Sequence, residues 1–362
     1  MTRTFVIAEA GVNHNGDLAR ADEMIAAAAE AGADAIKFQT FVPEACIAAA
    51  APKAAYQKAA TGSEEGQLAM VRRLALGRDD FRRLAATARS RGLVFLSTAF
   101  DHESLAFLVD RLDVTPFKVA SGEITNAPLL HAHALTGRPL LLSTGMASLG
   151  EIEFALGLIA HAGLHPGDPP RTREAVRDAW TSEEGRRIVA ERVTLLHCVS
   201  AYPAPDESLD LRSIATLRTA FGLPVGYSDH SIGIAAPMAA VALGATVIEK
   251  HFTLDRTLPG PDHAASLEPD ELAEMVAGIR CVEAALGDGA KRIGATERAN
   301  RAVARKSLVA ARPIRRGEPF TPDNLTAKRP GTGRDPFHYW RLLGTPAARD
   351  YAADELIDET VG

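Results

Sequence analysis

Short apolar runs alternate with longer, alanine-rich segments over the first 290 residues of the chain. The short runs occupy residues 5–8, 35–38, 93–96, 117–120, 140–143, 193–197, 225–227 and 247–249. They are apolar at nearly every position, which is typical of strands buried on both faces of a parallel sheet. The longer segments, such as residues 22–31, 79–91 and 151–162, carry apolar side chains at i, i+3 and i+4, which predicts helices. The pattern therefore predicts eight strand–helix units.

Eight such units match the (β/α)8 TIM barrel, an α/β fold that typically takes about 250 residues. A doubly wound open sheet is the competing fold. It would place a glycine-rich GxGxxG loop after the first strand, whereas residues 9–16 read Glu-Ala-Gly-Val-Asn-His-Asn-Gly. The sequence therefore favours the barrel.

Two stretches interrupt the alternation. Residues 42–78 are too long for a plain connection between a strand and a helix, so we expect a lid or an extra helix over the barrel mouth. Residues 165–191 begin with His-Pro-Gly-Asp-Pro-Pro and then become highly charged. This second stretch predicts a helical insertion at the bottom of the barrel, before the sixth strand.

The C-terminal part of the chain differs in charge from the rest. Residues 291–334 hold twelve Lys and Arg against three Asp and Glu, and the change follows a Gly-Asp-Gly sequence at 287–289. We therefore expect a catalytic barrel over residues 1–285, a linker over 286–300 and a small domain over 301–362. The basic stretch is either a solvated face or a surface that meets an anionic ligand or an acidic barrel.

Composition excludes several classes of protein. Of 362 residues, 46% are hydrophobic and 24% are charged, which argues against disorder. The net charge of −6 argues against a nucleic-acid partner, and no apolar run is long enough to cross a bilayer. Three scattered cysteines argue against a disulfide framework, and Glu9 interrupts the first apolar run before a signal-peptide core could form. We expect a soluble, cytoplasmic protein.

Polar residues recur at the C-terminal ends of all the predicted strands. In a TIM barrel these ends form the mouth, where reacting groups lie. One or two of them could be satisfied core polar groups, but the full set favours a functional site. The candidates are Glu9, Lys37, Gln39, Thr98, Lys118, Ser121, Ser143, Ser200, Tyr202, Ser228, His230 and His251.

His230 and His251 follow consecutive strands, whose backbones lie about 4.8 Å apart. Two imidazoles at neighbouring strand ends can bind one divalent cation and leave it open positions for substrate or water. Glu9, Asp229 or Glu249 could complete or orient the ligand set. The alternative for either histidine alone is a hydrogen-bonded loop residue. For the pair, the sequence favours a metal site.

Lys37 and Lys118 lie within runs that should otherwise be buried. A buried lysine is unfavourable unless an anion meets it, and nearby serine hydroxyls are groups that hold phosphate or carboxylate. The pattern therefore predicts an anion pocket beside the metal. A Schiff-base lysine is the alternative. Beyond the eighth strand, two prolines and a glycine in residues 252–263 could aim Asp262 and His263 at the mouth, where Asp262 would accept hydrogen bonds from sugar hydroxyls.

Several segments resemble motifs of the sialic acid synthase family, and together they span nearly the whole chain. They are Ile-Ala-Glu-Ala-Gly-Val-Asn-His-Asn-Gly at 7–16, Ile-Lys-Phe-Gln-Thr at 36–40, Lys-Val-Ala-Ser-Gly-Glu at 118–123, Leu-Ser-Thr-Gly-Met at 142–146, Tyr-Ser-Asp-His at 227–230, Glu-Lys-His-Phe-Thr at 249–253 and Pro-Gly-Pro-Asp-His at 259–263. The segments 304–308 and 328–333 are similar to that family's antifreeze-like (SAF) domain, which is small and mainly β.

The resemblance implies a metal-dependent condensation of phosphoenolpyruvate with the open-chain aldehyde of an N-acetylated hexosamine such as N-acetylmannosamine. The products would be a nine-carbon 2-keto sugar acid and phosphate. It also implies a metal that is usually Mn2+, with Mg2+ and Co2+ as alternatives, bound by His230 and His251. A domain-swapped homodimer is implied as well, in which Arg329 reaches the barrel of the partner subunit.

The remaining site residues take their roles from the same resemblance. Glu9, Lys37, Lys118, His230 and His251 would be catalytic. Phosphoenolpyruvate would contact Lys37, Thr98, Lys118, Ser121, Ser143, Ser200 and Ser228. The sugar would contact Gln39, Tyr202, Asp262 and Arg329.

The acceptor sugar stays open at this point. Some bacterial members of the family carry asparagine where this chain has Ser200. The Cys-Val-Ser-Ala-Tyr-Pro sequence at 198–203 is also similar to that of legionaminate-type, pseudaminate-type and 6-phosphate-accepting synthases. Two other readings are a related barrel that condenses phosphoenolpyruvate or pyruvate with an aldose, and a carbohydrate- or nucleic-acid-binding module on an inactive barrel.

Overall fold

The computed structural model describes residues 3–62 and 65–358, except for the side chains of residues 59 and 60. The chain divides into two compact units between Asp288 and Gly289. The predicted linker, 286–300, spans this division, and its last residues are helical. Residues 1–2 and 359–362 of the predicted domains lie outside the described residues.

The first unit is a closed barrel of eight parallel strands in which each strand pairs with the next and β1 pairs with β8. This confirms the predicted TIM barrel. The strands are β1 (Phe5–Gly11), β2 (Ala35–Thr40), β3 (Val94–Ala99), β4 (Phe117–Val119), β5 (Leu140–Ser143), β6 (Val193–Cys198), β7 (Val225–Asp229) and β8 (Val247–His251). Most of them extend past the apolar runs, because polar residues at the mouth continue the sheet.

Helices cover the outside of this barrel, and their apolar faces pack with the strands in one large buried core. The helices are α1 (Leu18–Glu30), α2 (Pro43–Cys46), α3 (Ala55–Thr61), α4 (Gln67–Leu74), α5 (Arg78–Ser90), α6 (His102–Asp110), α7 (Ala127–Leu135), α8 (Leu149–Leu164), α9 (Arg173–Thr181), α10 (Glu183–Arg192), α11 (Ser213–Phe221), α12 (Ala235–Ala242) and α13 (Pro269–Leu286). None of the helices within the described residues combines the length and apolar character needed to cross a membrane.

Both interruptions of the sequence pattern are helical. Residues 42–78 contain α2, α3 and α4, and side chains of this segment help to line the cavity at the barrel mouth. Residues 165–191 contain α9 and most of α10, which lead into the N-terminal end of β6. The second segment therefore lies at the end of the barrel opposite the mouth, as the sequence predicts.

The second unit contains α14 (Ala295–Ala304), the antiparallel strands β9 (Ser307–Ala310) and β10 (Leu325–Lys328), and the short helix α15 (Tyr339–Leu342). Isolated bridges add further β pairing, such as that between Ile314 and Tyr351. Its buried core includes Leu308, Phe320 and Tyr351. This confirms a small domain that is mainly β.

Candidate active site

One cavity of about 560 Å³ opens at the C-terminal ends of the barrel strands. Thirteen of the fourteen sequence-predicted site residues line it, from Glu9 on β1 to Asp262 beyond β8. The alternation of side chains along the strands explains this convergence, because residues two apart on one strand face the same side of the sheet. Glu9, Lys37, Lys118, Glu249 and His251 all take inward-facing positions.

Two buried acids and two buried lysines form a quartet at the centre of the cavity. Lys37 Nζ lies 2.6 Å from Glu9 Oε2 and 3.6 Å from Glu249 Oε2. Lys118 Nζ lies 3.0 Å from Glu249 Oε1. All four side chains are at most 6% exposed. The carboxylates of Glu9 and Glu249 therefore supply part of the negative charge that stabilises the two buried lysines. This pairing was not predicted from the sequence.

Position within the quartet gives the two acids different proton affinities. Burial, together with the charge of Glu249, raises the pKa of Glu9 to about 7, although Lys37 opposes the rise. Burial would also raise the pKa of Glu249, but the charges of Lys118 and Lys37 hold it well below its usual range. Burial would lower the pKa of Lys37, which the two carboxylates raise instead. Glu249 is thus a fixed anion, and Glu9 can exchange a proton near neutral pH.

Hydroxyl groups surround the quartet. The Lys37 ammonium donates to Thr98 Oγ1 at 3.3 Å, and Ser228 Oγ donates to Glu249 Oε1 at 2.8 Å. Ser121 Oγ accepts from the Gly145 backbone N–H at 3.0 Å, and a side chain at Gly145 would clash with the Ser121 and Ser200 hydroxyls. Ser143 Oγ is buried and has no hydrogen-bond partner among the described residues.

The rings of His230 and His251 lie beside each other on the cavity wall, with their centroids 5.4 Å apart. His230 Nδ1–H donates to the Val199 carbonyl oxygen at 2.7 Å, so the neutral form of the ring carries its lone pair on Nε2. His251 Nδ1 is buried without a partner among the described residues. Burial, reinforced by the nearby His230 and Lys37 charges, holds the pKa of His251 well below its usual value, so its neutral form is favoured.

The two histidines fit a divalent cation, and no complete protein ligand set surrounds them. Among the described residues, no group of three or more His, Cys, Asp or Glu side chains has the geometry to hold a metal ion. Of the two roles suggested for Asp229, that of completing the ligand set is wrong, because its side chain faces away from the cavity and its Oδ2 lies 2.5 Å from Lys250 Nζ. The role of orienting the ligands stays a prediction. Water or substrate would have to supply the remaining ligands.

Sequence reasoning missed three features of the cavity. Glu249 was named only as a residue that could complete or orient the metal ligands, although its position two residues before His251 could have indicated that it faces inward. Cys198 lines the cavity and its Sγ lies 3.7 Å from His230 Nδ1. Tyr56, on α3, stacks on Tyr202 with 5.0 Å between ring centroids, and Tyr202 in turn lies 4.1 Å from the His230 ring. The length of the 42–78 segment predicts a lid or an extra helix over the mouth, but no sequence signal brings Tyr56 onto Tyr202.

Arg329 is the fourteenth predicted site residue, and it belongs to the second unit. It directly follows β10, and its Nε donates to the Ala304 carbonyl oxygen at 3.0 Å. The side chain is exposed. Its predicted role in the barrel of a partner subunit stays a prediction.

Comparisons with known proteins identify the family of this chain. The NeuB family model matches residues 24–291, and the SAF domain model matches residues 305–359. The N,N'-diacetyllegionaminic acid synthase of Campylobacter jejuni is 45% identical over 359 residues, which are 99% of this chain and 100% of that protein. The synthase of the same name from Legionella pneumophila is 40% identical over 349 residues, which are 96% of this chain and 92% of that protein.

A solved structure supports the same assignment. The N-acetylneuraminic acid synthetase of Leptospira borgpetersenii, crystallised with citrate, is 35% identical and superimposes with a TM-score of 0.65. The match covers 83% of this chain and 90% of that chain. The family membership predicted from the motifs is confirmed: this chain belongs to the NeuB family of sialic-acid-type synthases and carries a C-terminal SAF domain.

Proposed function

We propose that this enzyme condenses phosphoenolpyruvate with the open-chain aldehyde of a di-N-acetylated 6-deoxyhexose. The products are a nine-carbon 2-keto sugar acid and inorganic phosphate. One observation carries the proposal. The Glu9–Lys37–Glu249–Lys118 quartet, a set of hydroxyl groups and the imidazoles of His230 and His251 converge in one cavity. The comparisons support the reaction class, since two similar proteins are named N,N'-diacetyllegionaminic acid synthases.

The reaction balances with one molecule of water. C3 of phosphoenolpyruvate forms a bond to the aldehyde carbon, and the aldehyde oxygen takes up a proton and becomes a hydroxyl. Water adds at C2, and the bond between C2 and the phosphate oxygen breaks to leave the ketone. The enzyme must therefore hold a trianion, orient an aldehyde against it and move protons, which are the tasks that fall to the residues of this cavity.

The quartet and the hydroxyls are suited to phosphoenolpyruvate. A buried anion is stabilised by preorganised donors, and Lys37, Lys118 and the buried Ser143 hydroxyl supply such donors within one cavity. Glu249 contacts both lysines, and its charge, together with that of Glu9, stabilises the ammonium form of Lys37. Glu9, with a pKa of about 7, accepts the proton of the water that adds at C2.

His230 and His251 would hold a divalent cation, for which we propose Mn2+. When bound, the cation would act as a Lewis acid that polarises the aldehyde oxygen. The residues around the two histidines support this role because they orient the His230 ring. The Val199 carbonyl fixes the ring nitrogen that His230 presents to the cavity, and the ring of Tyr202 packs against His230 at 4.1 Å between centroids.

The lining of the cavity favours an acceptor without a phosphate group. Among the lining residues, all within the described part of the chain, Lys37 and Lys118 are the only Lys or Arg side chains, and both contact Glu249. The lining also includes apolar, aromatic and acidic side chains, namely Phe41, Tyr56, Met70, Glu123, Met146, Tyr202 and Asp262. Within the lining that one subunit supplies, a phosphate on C6 would lie near the acids Glu123 and Asp262, whereas a 6-methyl group and N-acetyl methyl groups suit the apolar walls.

We also propose the domain-swapped homodimer, in which Arg329 of one subunit contacts the sugar in the barrel of the other. Opposite charge supports this arrangement, because residues 291–334 carry a net charge of +9 and the cavity lining includes Glu123 and Asp262. The change Arg329→Ala should lower activity with little loss of stability. A fully active monomer in light scattering would rule out the swap.

Phosphate release with different acceptors tests the proposed reaction. A di-N-acetylated 6-deoxyhexose should support the highest kcat/KM, N-acetylmannosamine a lower one and N-acetylmannosamine 6-phosphate the lowest. Release should require the sugar, and pyruvate should not replace phosphoenolpyruvate. A preference for the 6-phosphate would overturn the acceptor assignment, and turnover with pyruvate would overturn the reaction class.

Metal removal tests the histidine pair. Treatment with EDTA should abolish phosphate release, and Mn2+ should restore it. The double change His230→Ala with His251→Ala should abolish both activity and Mn2+ binding, while thermal melting shows that the barrel still folds. Full activity after complete metal removal would reject the metal role and leave the condensation itself in place.

A further inference from the structure

A fully buried ion pair lies behind the two histidines, on the outer side of the barrel wall. Asp229 and Lys250 are neighbours in the register of β7 and β8, and both side chains are 0% exposed. Each is one residue away from a cavity-lining histidine, so strand alternation turns it to the opposite side of the sheet. Neither residue lines the cavity, and the proposed reaction gives neither of them a task.

The contacts of this pair converge on the backbone of Ser231. Asp229 Oδ1 accepts a hydrogen bond from the Ser231 N–H at 2.9 Å and another from Tyr227 OH at 2.9 Å. Lys250 Nζ lies 2.5 Å from Asp229 Oδ2 and donates also to the Ser231 carbonyl oxygen. One ion pair thus satisfies both backbone groups of the residue that follows His230.

His230 is therefore anchored on each side. Its own carbonyl accepts from the Ala204 N–H at 2.9 Å, and its ring Nδ1 donates to Val199 at 2.7 Å. The residue before it and the residue after it are both held by Lys250, which directly precedes His251. Lys250 consequently links the turn that carries His230 to the strand that carries His251.

Stability alone is a weak reason for such a pair. The desolvation of two buried charges offsets most of their attraction, and replacing a buried ion pair by apolar residues is often neutral or stabilising. Directed charges do, however, hold a backbone turn in one geometry better than apolar contacts can. In metal sites, loss of the groups that orient the ligands weakens metal affinity by about 10- to 100-fold.

We propose that Asp229 and Lys250 are positioning residues that hold His230 and His251 in the geometry that binds the divalent cation. The inference rests on the metal role that the proposed function gives to the two histidines. It assigns a task to two residues that touch neither the metal nor either substrate. If it is correct, the pair can be removed without unfolding the barrel, but the affinity for metal will fall.

The test compares two double variants of the full chain by isothermal titration with Mn2+ alone, far below their melting temperatures. The first is Asp229→Asn with Lys250→Met, in which the new amide oxygen can still accept from Ser231 and Tyr227. The matched control is Asp34→Asn with Arg280→Met, which removes a pair with 2.7 Å between its atoms at the opposite end of the barrel. We expect Mn2+ to bind the first variant about 10- to 100-fold more weakly and the control as tightly as the unaltered protein.

Each other outcome would overturn either the positioning role or the metal role. Unchanged Mn2+ affinity in the first variant overturns the positioning role and leaves the proposed function intact. Equal weakening in the control also overturns it, since a general loss of stability would then explain the effect. If the unaltered protein does not bind Mn2+, the proposed metal role fails together with this inference.

A gentler change keeps the test valid if the first double variant does not fold. Tyr227→Phe removes only the hydroxyl that donates to Asp229 Oδ1 and keeps the buried ring. We expect this variant to melt close to the unaltered protein and to bind Mn2+ several-fold more weakly. Unchanged affinity in Tyr227→Phe, with a first double variant that cannot fold, would reduce the pair to a structural element and overturn the proposal.

Discussion

Two buried clusters of charge lie on opposite faces of the same barrel wall, and they differ in how firmly their charges are paired. The outer pair, Asp229 and Lys250, has a direct contact of 2.5 Å, and its remaining hydrogen bonds go to fixed neighbours. The inner quartet shares its charges, since Lys37 lies near both Glu9 and Glu249. One cluster is suited to holding the backbone still, and the other to rearranging around a ligand.

The difference comes from strand alternation rather than from residue type. Glu249, Lys250 and His251 are consecutive, yet the first and third line the cavity and the second does not. The same holds for Ser228, Asp229 and His230. A charged residue at the end of a barrel strand can therefore serve chemistry or architecture, and the side of the sheet that it faces decides between them.

The largest expected effect is on the inner cluster. Glu9→Gln keeps the shape of the side chain but removes the group that exchanges a proton near neutral pH. Loss of a general base typically lowers kcat by about 100- to 10,000-fold, and we expect a loss in this range. The measurement is kcat at saturating concentrations of both substrates.

Glu123→Gln is the matched control for this change. Glu123 also lines the cavity but is partly exposed and bonds to Asn126 at 2.6 Å, so its loss should change kcat less than tenfold. If kcat fell by a similar factor in the two variants, acids in the cavity would act through their charge alone. The role of Glu9 as a general base would then be wrong.

The next effect concerns stability and the outer pair. Lys250→Met alone leaves the Asp229 carboxylate buried without its counter-ion, so we expect the free energy of unfolding to fall by about 3–5 kcal/mol. Adding Asp229→Asn removes that charge and should restore most of the loss. Urea denaturation of the three proteins measures both values. Equal stability of the single and double variants would show that the two side chains are not coupled.

The fold and most of the cavity could be predicted from sequence because a parallel barrel imposes two simple regularities. Its strands are buried on both faces, so they appear as apolar runs, and its strand ends converge, so a polar residue such as Lys118 or Ser228 can be placed at the mouth without coordinates. The positions of the strand ends were predicted less accurately. β8 reaches His251, beyond the apolar run at 247–249, because inward polar residues continue the hydrogen-bonded ladder.

Other features of the site could not be predicted from the sequence, because they depend on distances between elements that are far apart in the chain. The suggestion that Asp229 could complete the metal ligands did not take into account the direction of its side chain, which is opposite to that of His230. The pairing of Lys118 with Glu249, at 3.0 Å, joins β4 and β8 across the barrel and has no local signal. The stacking of Tyr56 on Tyr202 depends on how the 42–78 segment folds back over the mouth, which periodicity does not determine.

The smallest effect gives the sharpest contrast between the two faces. Ser143 and Ser231 each have a buried hydroxyl without a hydrogen-bond partner among the described residues, but only Ser143 lines the cavity. A hydrogen bond to a charged ligand contributes about 1.5–3 kcal/mol, so Ser143→Ala should raise the KM for phosphoenolpyruvate by about tenfold or more. Ser231→Ala removes the same group on the outer side and should leave this KM unchanged. Steady-state kinetics of the two alanine variants measure the contrast, and equal KM values would mean that Ser143 does not contact the substrate.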